Sequence, residues 1–202
     1  MRFFLALLTV VCISAFWGCG SGEPGEGDFP APGAMRVVSI ERISLSGPSL
    51  FPDGSFRDWP EKGVLKSFHS PDPKASSIAR ESNGKEGFSV AQKFLQPATD
   101  AQKQFGALVP LKPKTKYRLE VTASSPDSAR ADVVVYDAKD GKANKALANP
   151  LLQIAASEKL YTCSGVFQTE DLPDVLIETR LSKEAKAPAT MVWHNWSVYA
   201  EK

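Results

Sequence analysis

The stretch "KYRLEVTAS", residues 116–124, alternates without a break: Tyr117, Leu119, Val121 and Ala123 fall on one side, Arg118, Glu120, Thr122 and Ser124 on the other. Successive side chains of a strand point to opposite faces, so this period of two reads as a strand with one side buried. "DVLIETRLS" (174–182) repeats the pattern, with Val175, Ile177, Thr179 and Leu181 on the inner side. "YTCSGVF" (161–167) does so with Tyr161, Cys163, Gly165 and Phe167. Further strands are predicted in "VVSIERISL" (37–45), "SIARES" (77–82), "FSVAQKF" (88–94), "FGALVPL" (105–111), "DVVVYDA" (132–138), "PLLQIAA" (150–156) and "TMVWHNWSVYA" (190–200). Turn clusters separate them: "SPDPKASS" (70–77), "LKPKTK" (111–116), "SPDSAR" (125–130) and "DAKDGK" (137–142). Only "DAQKQ" (100–104) and "NKALAN" (144–149) are expected to make a helical turn. About ten short strands with one polar face each make an all-β, antiparallel sandwich of two sheets around a shared core.

The chain begins differently. Arg2 precedes the uncharged run "FFLALLTVVCISAFW" (3–17), too short to span a bilayer as a helix but suited to a signal peptide. Gly18, Cys19 and Gly20 follow, and a cysteine after a glycine at this point resembles the bacterial lipoprotein signal, in which the cysteine is acylated. We therefore expect a signal peptide over 1–18, lipidation of Cys19, and a flexible Gly/Pro-rich linker over 19–35 that reaches about 20 Å. The sandwich domain occupies 36–202. An extracytoplasmic protein anchored by lipid to the cell envelope is the expectation, in the outer membrane if the cell is Gram-negative; the alternative is cleavage after Gly20 and secretion.

Of the three cysteines, Cys12 leaves with the signal and Cys19 carries lipid, so Cys163 stands alone and is expected as a small buried hydrophobe. That excludes an internal disulfide and a cysteine zinc site. Loss of Arg2 takes the formal charge from +1 to zero, and no basic stripe marks a nucleic-acid partner.

"DGSFRDW" (53–59), "NGKEGFSVAQ" (83–92), "LVPLKPKTKYRLEVTASS" (108–125), "LYTCSGVFQT" (160–169), "VLIETRLS" (175–182) and "ATMVWHNWSVYA" (189–200) follow one another in the order and spacing of a known family. Together they resemble the jelly-roll carbohydrate-binding modules of the family-4/9 type, in the galactose-binding-like superfamily, over residues 37–201. The resemblance implies a two-sheet jelly roll and a non-catalytic role in binding glycan on a concave face or loop rim. It also implies a structural calcium between the first and last strands. Here Arg57 stands at the family's early glutamate and His194-Asn195 at its late pair of aspartates, a set short of the hard oxygens calcium requires. No cofactor is therefore expected, with Asp53 and Asp58 the carboxylates left nearby.

A sugar ring stacks on a flat aromatic while polar side chains orient its hydroxyls. Trp193 and Trp196 lie three apart on one strand, so parity sends one into the core and leaves the other exposed or covered by a loop; Trp59 follows a turn. The expected ligand-binding residues are Trp59 and Trp196 as platforms, with Arg118 and Glu120 as hydrogen-bonding partners; core packing is the competing reading for each tryptophan. His69 and His194 lie near no nucleophile turn and lack cysteines for zinc, so they are expected to be solvated or capping. "DAKDGK" reads as a hairpin turn at Asp140-Gly141 and not as a calcium loop. No pair of carboxylates is marked out for glycoside hydrolysis. We expect no metal site, no catalytic residues and no enzyme. The leading function is an anchored module for glycan or another envelope component; the alternative is a structural or assembly lipoprotein whose sandwich binds a protein.

Overall fold

The alternating stretches become strands wherever the structure, a computed structural model, describes them: residues 36–38, 48–59, 65, 67–82, 88–97, 102–127 and 129–201. The signal peptide (1–18) and the linker (19–35) with Cys19 lie outside the described residues. Early strands are β1 (Arg36–Val38), β2 (Phe68–His69), β3 (Ser76–Ser82), β4 (Phe88–Phe94), β5 (Gly106–Pro110) and β6 (Lys116–Ser124). Later ones are β7 (Ala131–Lys139), β8 (Lys142–Ile154), β9 (Tyr161–Gln168), β10 (Asp174–Leu181) and β11 (Ala189–Ala200). They form a six-stranded sheet in the order β1-β9-β6-β11-β4-β3 and a five-stranded sheet in the order β2-β5-β10-β7-β8, paired antiparallel throughout.

The inner faces meet as parity requires. Tyr117, Leu119, Val121 and Ala123 of β6 join Cys163 and Phe167 of β9, and Val175, Ile177 and Leu181 of β10, in one buried cluster. Within that apolar layer sits one polar knot between the sheets. The Gln92 carboxamide oxygen accepts from the Thr179 hydroxyl at 2.7 Å and from the Trp193 indole N–H at 2.9 Å, while its amide donates to Ser76 at 3.2 Å. Gln92, Thr179 and Trp193 are fully buried, so each of these groups would lack water if its partner were lost.

Two expectations need correction. "NKALAN" is not a helical turn but part of β8, which extends back to Lys142. Asp140 and Gly141, at φ 52° and 73°, make the tight turn that sets Lys142 opposite Lys139. Pairing then zips through the Ala/Leu segment, overriding its helical preference, with shifts of register between Val133 and Ala138 absorbing the mismatch. Of "DAQKQ", Gln102, Lys103 and Gln104 form an irregular lead into β5, and Asp100 and Ala101 lie outside the described residues.

Candidate functional site

The tryptophan parity fails for a local reason. On β11, Trp193 pairs with Ala123 but Asn195 pairs with Thr122, so His194 is an extra residue in a bulge. One inserted residue reverses the alternation, and Trp193 and Trp196 both turn inward, in edge-to-face contact at 5.8 Å. Trp196 is 0% exposed and packs against Phe51, Phe68 and Phe105. Trp59, at 8%, is also in the core cluster. The segment before it folds along β11: Leu50 N–H bonds Val198 O at 2.7 Å, and Trp196 N–H bonds Gly54 O at 2.8 Å. Neither Trp59 nor Trp196 presents a ring to a ligand; both belong to the buried core.

Arg118 and Glu120 do lie on the outward side of β6, where parity put them. Arg118 pairs with Glu201 at 2.6 Å. Glu120 is 7% exposed, and burial raises its carboxyl above the ordinary range, against the pull of Arg118 and with a smaller push from Glu201. Nearby, His194 Nε2 and the Ser124 hydroxyl are 3.1 Å apart, and Thr122 bonds Thr162 at 2.8 Å. His194 is half-buried rather than solvated, and burial lowers its pKa, with Glu81 opposing. Its Nδ1 is buried without a partner among the described residues. Among the described residues, no acid bonds that nitrogen in the way a Ser-His-Asp arrangement requires.

These shifts set opposite pH slopes. Glu120 is raised in the folded state, so its contribution to stability falls as pH rises above the unfolded value of 4.5. His194 is lowered, so its contribution falls as pH drops below 6.5. We expect Glu120→Gln to melt higher than the parent near pH 7, with the gain vanishing at about pH 4, where the parent carboxyl is protonated in both states. A gain that is flat with pH, measured by thermal melts across that range, would contradict the burial of Glu120.

The outer face of the five-stranded sheet holds a constellation that sequence pattern did not reveal. Val134 and Ala138 of β7 and Leu176 of β10 are buried but stand outside the core cluster, on the face turned away from it. Over these buried side chains lie planar polar groups. An Arg180 guanidinium nitrogen donates to the Tyr136 hydroxyl and to the Asn149 side-chain oxygen, both at 2.8 Å. His69 Nε2 stands 3.4 Å from Glu178 Oε1. That pair spans an intervening strand, because His69 and Glu178 both pair with Gly106. A Cβ on Gly106 would come within 2.3 Å of Ile177 O and 2.9 Å of Glu178 Cγ, so the glycine leaves the space in which Glu178 lies. Asp132, opposite Arg180, has its pKa raised by burial, opposed by Arg180 and by a hydrogen bond with Ser182. Arg118 and Glu120 belong to the other sheet and take no part in this group. The available signal was weak: alternation in "DVLIETRLS" makes Arg180 an ordinary outward residue, and a two-residue strand carries His69.

The residues do not fit the calcium that the family resemblance implies. Both Asp53 carboxylate oxygens accept backbone N–H groups of their own turn, from Arg57 at 2.7 Å and Asp58 at 3.0 Å. The Asn195 amide donates to Ser197. Among the described residues, no three His, Cys, Asp or Glu side chains are arranged to hold a metal. Cys163 is buried as expected, which pushes its thiol up to about 11.

No protein-family model and no curated protein matches the chain. Solved structures do. One described as a CBM4 is 14% identical, at a TM-score of 0.52, over 75% of this chain and 99% of that one. The CBM22-1 xylan-binding domain of Paenibacillus barcinonensis Xyn10C is 13% identical, at 0.50, over 78% and 99%. TmCBM61, in complex with β-1,4-galactotriose, is 13% identical, at 0.50, over 77% and 100%. At such identity the likeness establishes the fold. This chain has the jelly-roll sandwich of carbohydrate-binding modules, as its motif order implied.

Proposed function

We propose that this chain is a non-catalytic module that binds carbohydrate on the outer face of its five-stranded sheet. The observation that carries the reading is the half-buried Tyr136 ring with Arg180, Asn149, Glu178 and His69 on the same face, supported from beneath by the buried Val134, Ala138 and Leu176. A pyranose has apolar C–H faces and an equatorial belt of hydroxyls. It is recognised by an apolar surface with a few convergent donors and acceptors. Here Arg180 donates, Glu178 accepts and Asn149 does both. The bonds from Arg180 to Tyr136 and Asn149 hold the tyrosine ring and the amide in place before a ligand arrives, which lowers the ordering cost of binding. The glycan-binding neighbours in this fold support the same reading.

A glycan array followed by calorimetry tests it. We expect Tyr136→Ala to weaken binding about tenfold or more, with the fold intact by circular dichroism. Arg118→Ala, on the other sheet, serves as the comparison for the role first expected of Arg118 and Glu120. Binding lost with Arg118→Ala and kept with Tyr136→Ala would move the site to the six-stranded sheet.

The assembly alternative gains from the burial of both Trp59 and Trp196, which removes the two platforms first expected for sugar. It replaces the glycan reading if no glycan binds. In either case we propose a lipid anchor at Cys19, on the strength of the signal-like start and the linker. Cys19→Ala should shift the protein from the membrane fraction to the soluble one. Release of the parent protein into the medium, unchanged by the substitution, would support free secretion instead.

A further inference from the structure

Three connections meet at one end of the sandwich: β5 to β6, the β7–β8 hairpin turn, and β9 to β10. They are tied together, Leu111 N–H to Pro173 O at 2.8 Å, Lys114 N–H to Glu170 O at 2.9 Å, and Lys145 Nζ to Glu170 at 2.5 Å. Six exposed lysines project there: Lys112, Lys114, Lys116, Lys139, Lys142 and Lys145. Lys114 and Lys145 are neutralised by Asp171 and Glu170. The other four make no ion pair with any described residue. Facing them, Asp140 is exposed, Asp174 is half-buried and Asp137 is buried. At the opposite end Arg130 pairs with Glu184, and Lys159, Lys183 and Lys186 are interspersed with Asp127 and Glu158.

The direction of β1 bears on this end. Arg36 pairs with Ser164 and Val38 with Thr162, while Gln168, further along β9, pairs with Lys116. β1 therefore runs away from the lysine end, with Arg36 nearer to that end than Val38. A chain tethered through its N-terminal part would present this end first to whatever holds the tether.

We propose that the end bearing Lys112, Lys116, Lys139 and Lys142 docks on an anionic lipid surface. The proposal rests on the anchor reading for its orientation, and on the unpaired lysines for its chemistry. Basic side chains close to an anionic bilayer gain from its surface potential, and the gain fades within a Debye length. Such docking is too weak to hold the protein alone, but under a tether it would fix which way the domain faces. The outer face of the five-stranded sheet, whose strands run between the two ends, would then stand upright from the membrane and open to polymer around it.

The test is co-sedimentation of the full chain carrying Cys19→Ala, so that acylation plays no part, with vesicles of phosphatidylglycerol in phosphatidylcholine and of phosphatidylcholine alone. We expect stronger partition to the anionic vesicles, suppressed in about 0.5 M salt. Changing Lys112, Lys116, Lys139 and Lys142 to Gln should lower that partition about tenfold. Changing Lys159, Lys183 and Lys186 to Gln should leave it within about twofold. All four substituted lysines are exposed, so the variant should melt as the parent does. Equal partition to both vesicle types, or no effect of the four changes, overturns the docking. Failure of the anchor is read separately, in the Cys19 fractionation of cells.

Discussion

Gln92→Leu is expected to cost about 2–4 kcal/mol of stability, although it changes volume little. The substitution leaves the Trp193 indole N–H, fully buried, without its acceptor at 2.9 Å, and Ser76 without the amide that donates to it. Thr179 is less affected, because its hydroxyl also lies 3.1 Å from Phe105 O. Trp193→Phe made alone should cost more than its lost volume, since the Gln92 oxygen then keeps one donor of two. In the double variant the two losses overlap, so the total should fall short of the sum by about 1 kcal/mol or more. Trp196 provides the contrast, its indole nitrogen being buried with no partner among the described residues. Trp196→Phe loses packing but no hydrogen bond. Denaturant unfolding of the four variants measures all of this. Strict additivity of Gln92→Leu and Trp193→Phe would show that the knot between the sheets carries no stability of its own.

Gly54→Ala is expected to be still more damaging, about 3–5 kcal/mol, or enough to prevent folding. A Cβ there would sit 1.7 Å from the carbonyl oxygen of Trp196 and 2.8 Å from its carbon. Both are backbone atoms of a central strand and have no side-chain freedom with which to yield. Relief requires the segment to leave β11, which breaks the Trp196–Gly54 and Leu50–Val198 hydrogen bonds and withdraws Phe51, Phe56 and Trp59 from the core. Gly141→Ala should be mild by comparison. Its Cβ would meet nothing within 4 Å, and only the positive φ of 73° opposes it, at about 1 kcal/mol. Chemical unfolding followed by tryptophan fluorescence compares them directly. A Gly54→Ala protein as stable as Gly141→Ala would mean that the segment does not pack along β11 as described.

Both variants touch features that local pattern could only half disclose. Gly54 lies within the "DGSFRDW" motif, but nothing in "DGSF" states that a carbonyl from the other end of the chain lies against it. Gln92 sits at an inward position of β4, where alternation alone asks for an apolar side chain. Its partners, Thr179 and Trp193, lie on two other strands and are distant in sequence.

What the sequence by itself determined was most of the strands and, wherever alternation is unbroken, their buried sides. Tyr117, Leu119 and Val121, or Val175 and Ile177, point inward because a strand's alternation is a property of adjacent residues. Motif order added the jelly roll. Tertiary structure alone decided the rest. The extra residue at His194 exists only because Trp193 and Asn195 pair with consecutive residues of β6, and that pairing turned a platform into core. "NKALAN" became strand because the Asp140-Gly141 turn aligned it with β7. His69, Tyr136, Asn149, Glu178 and Arg180 share one face because β2, β5, β10, β7 and β8 lie side by side in that order. Neighbourhood across a sheet is set by which strands exchange hydrogen bonds, and alternation within one strand cannot carry that information.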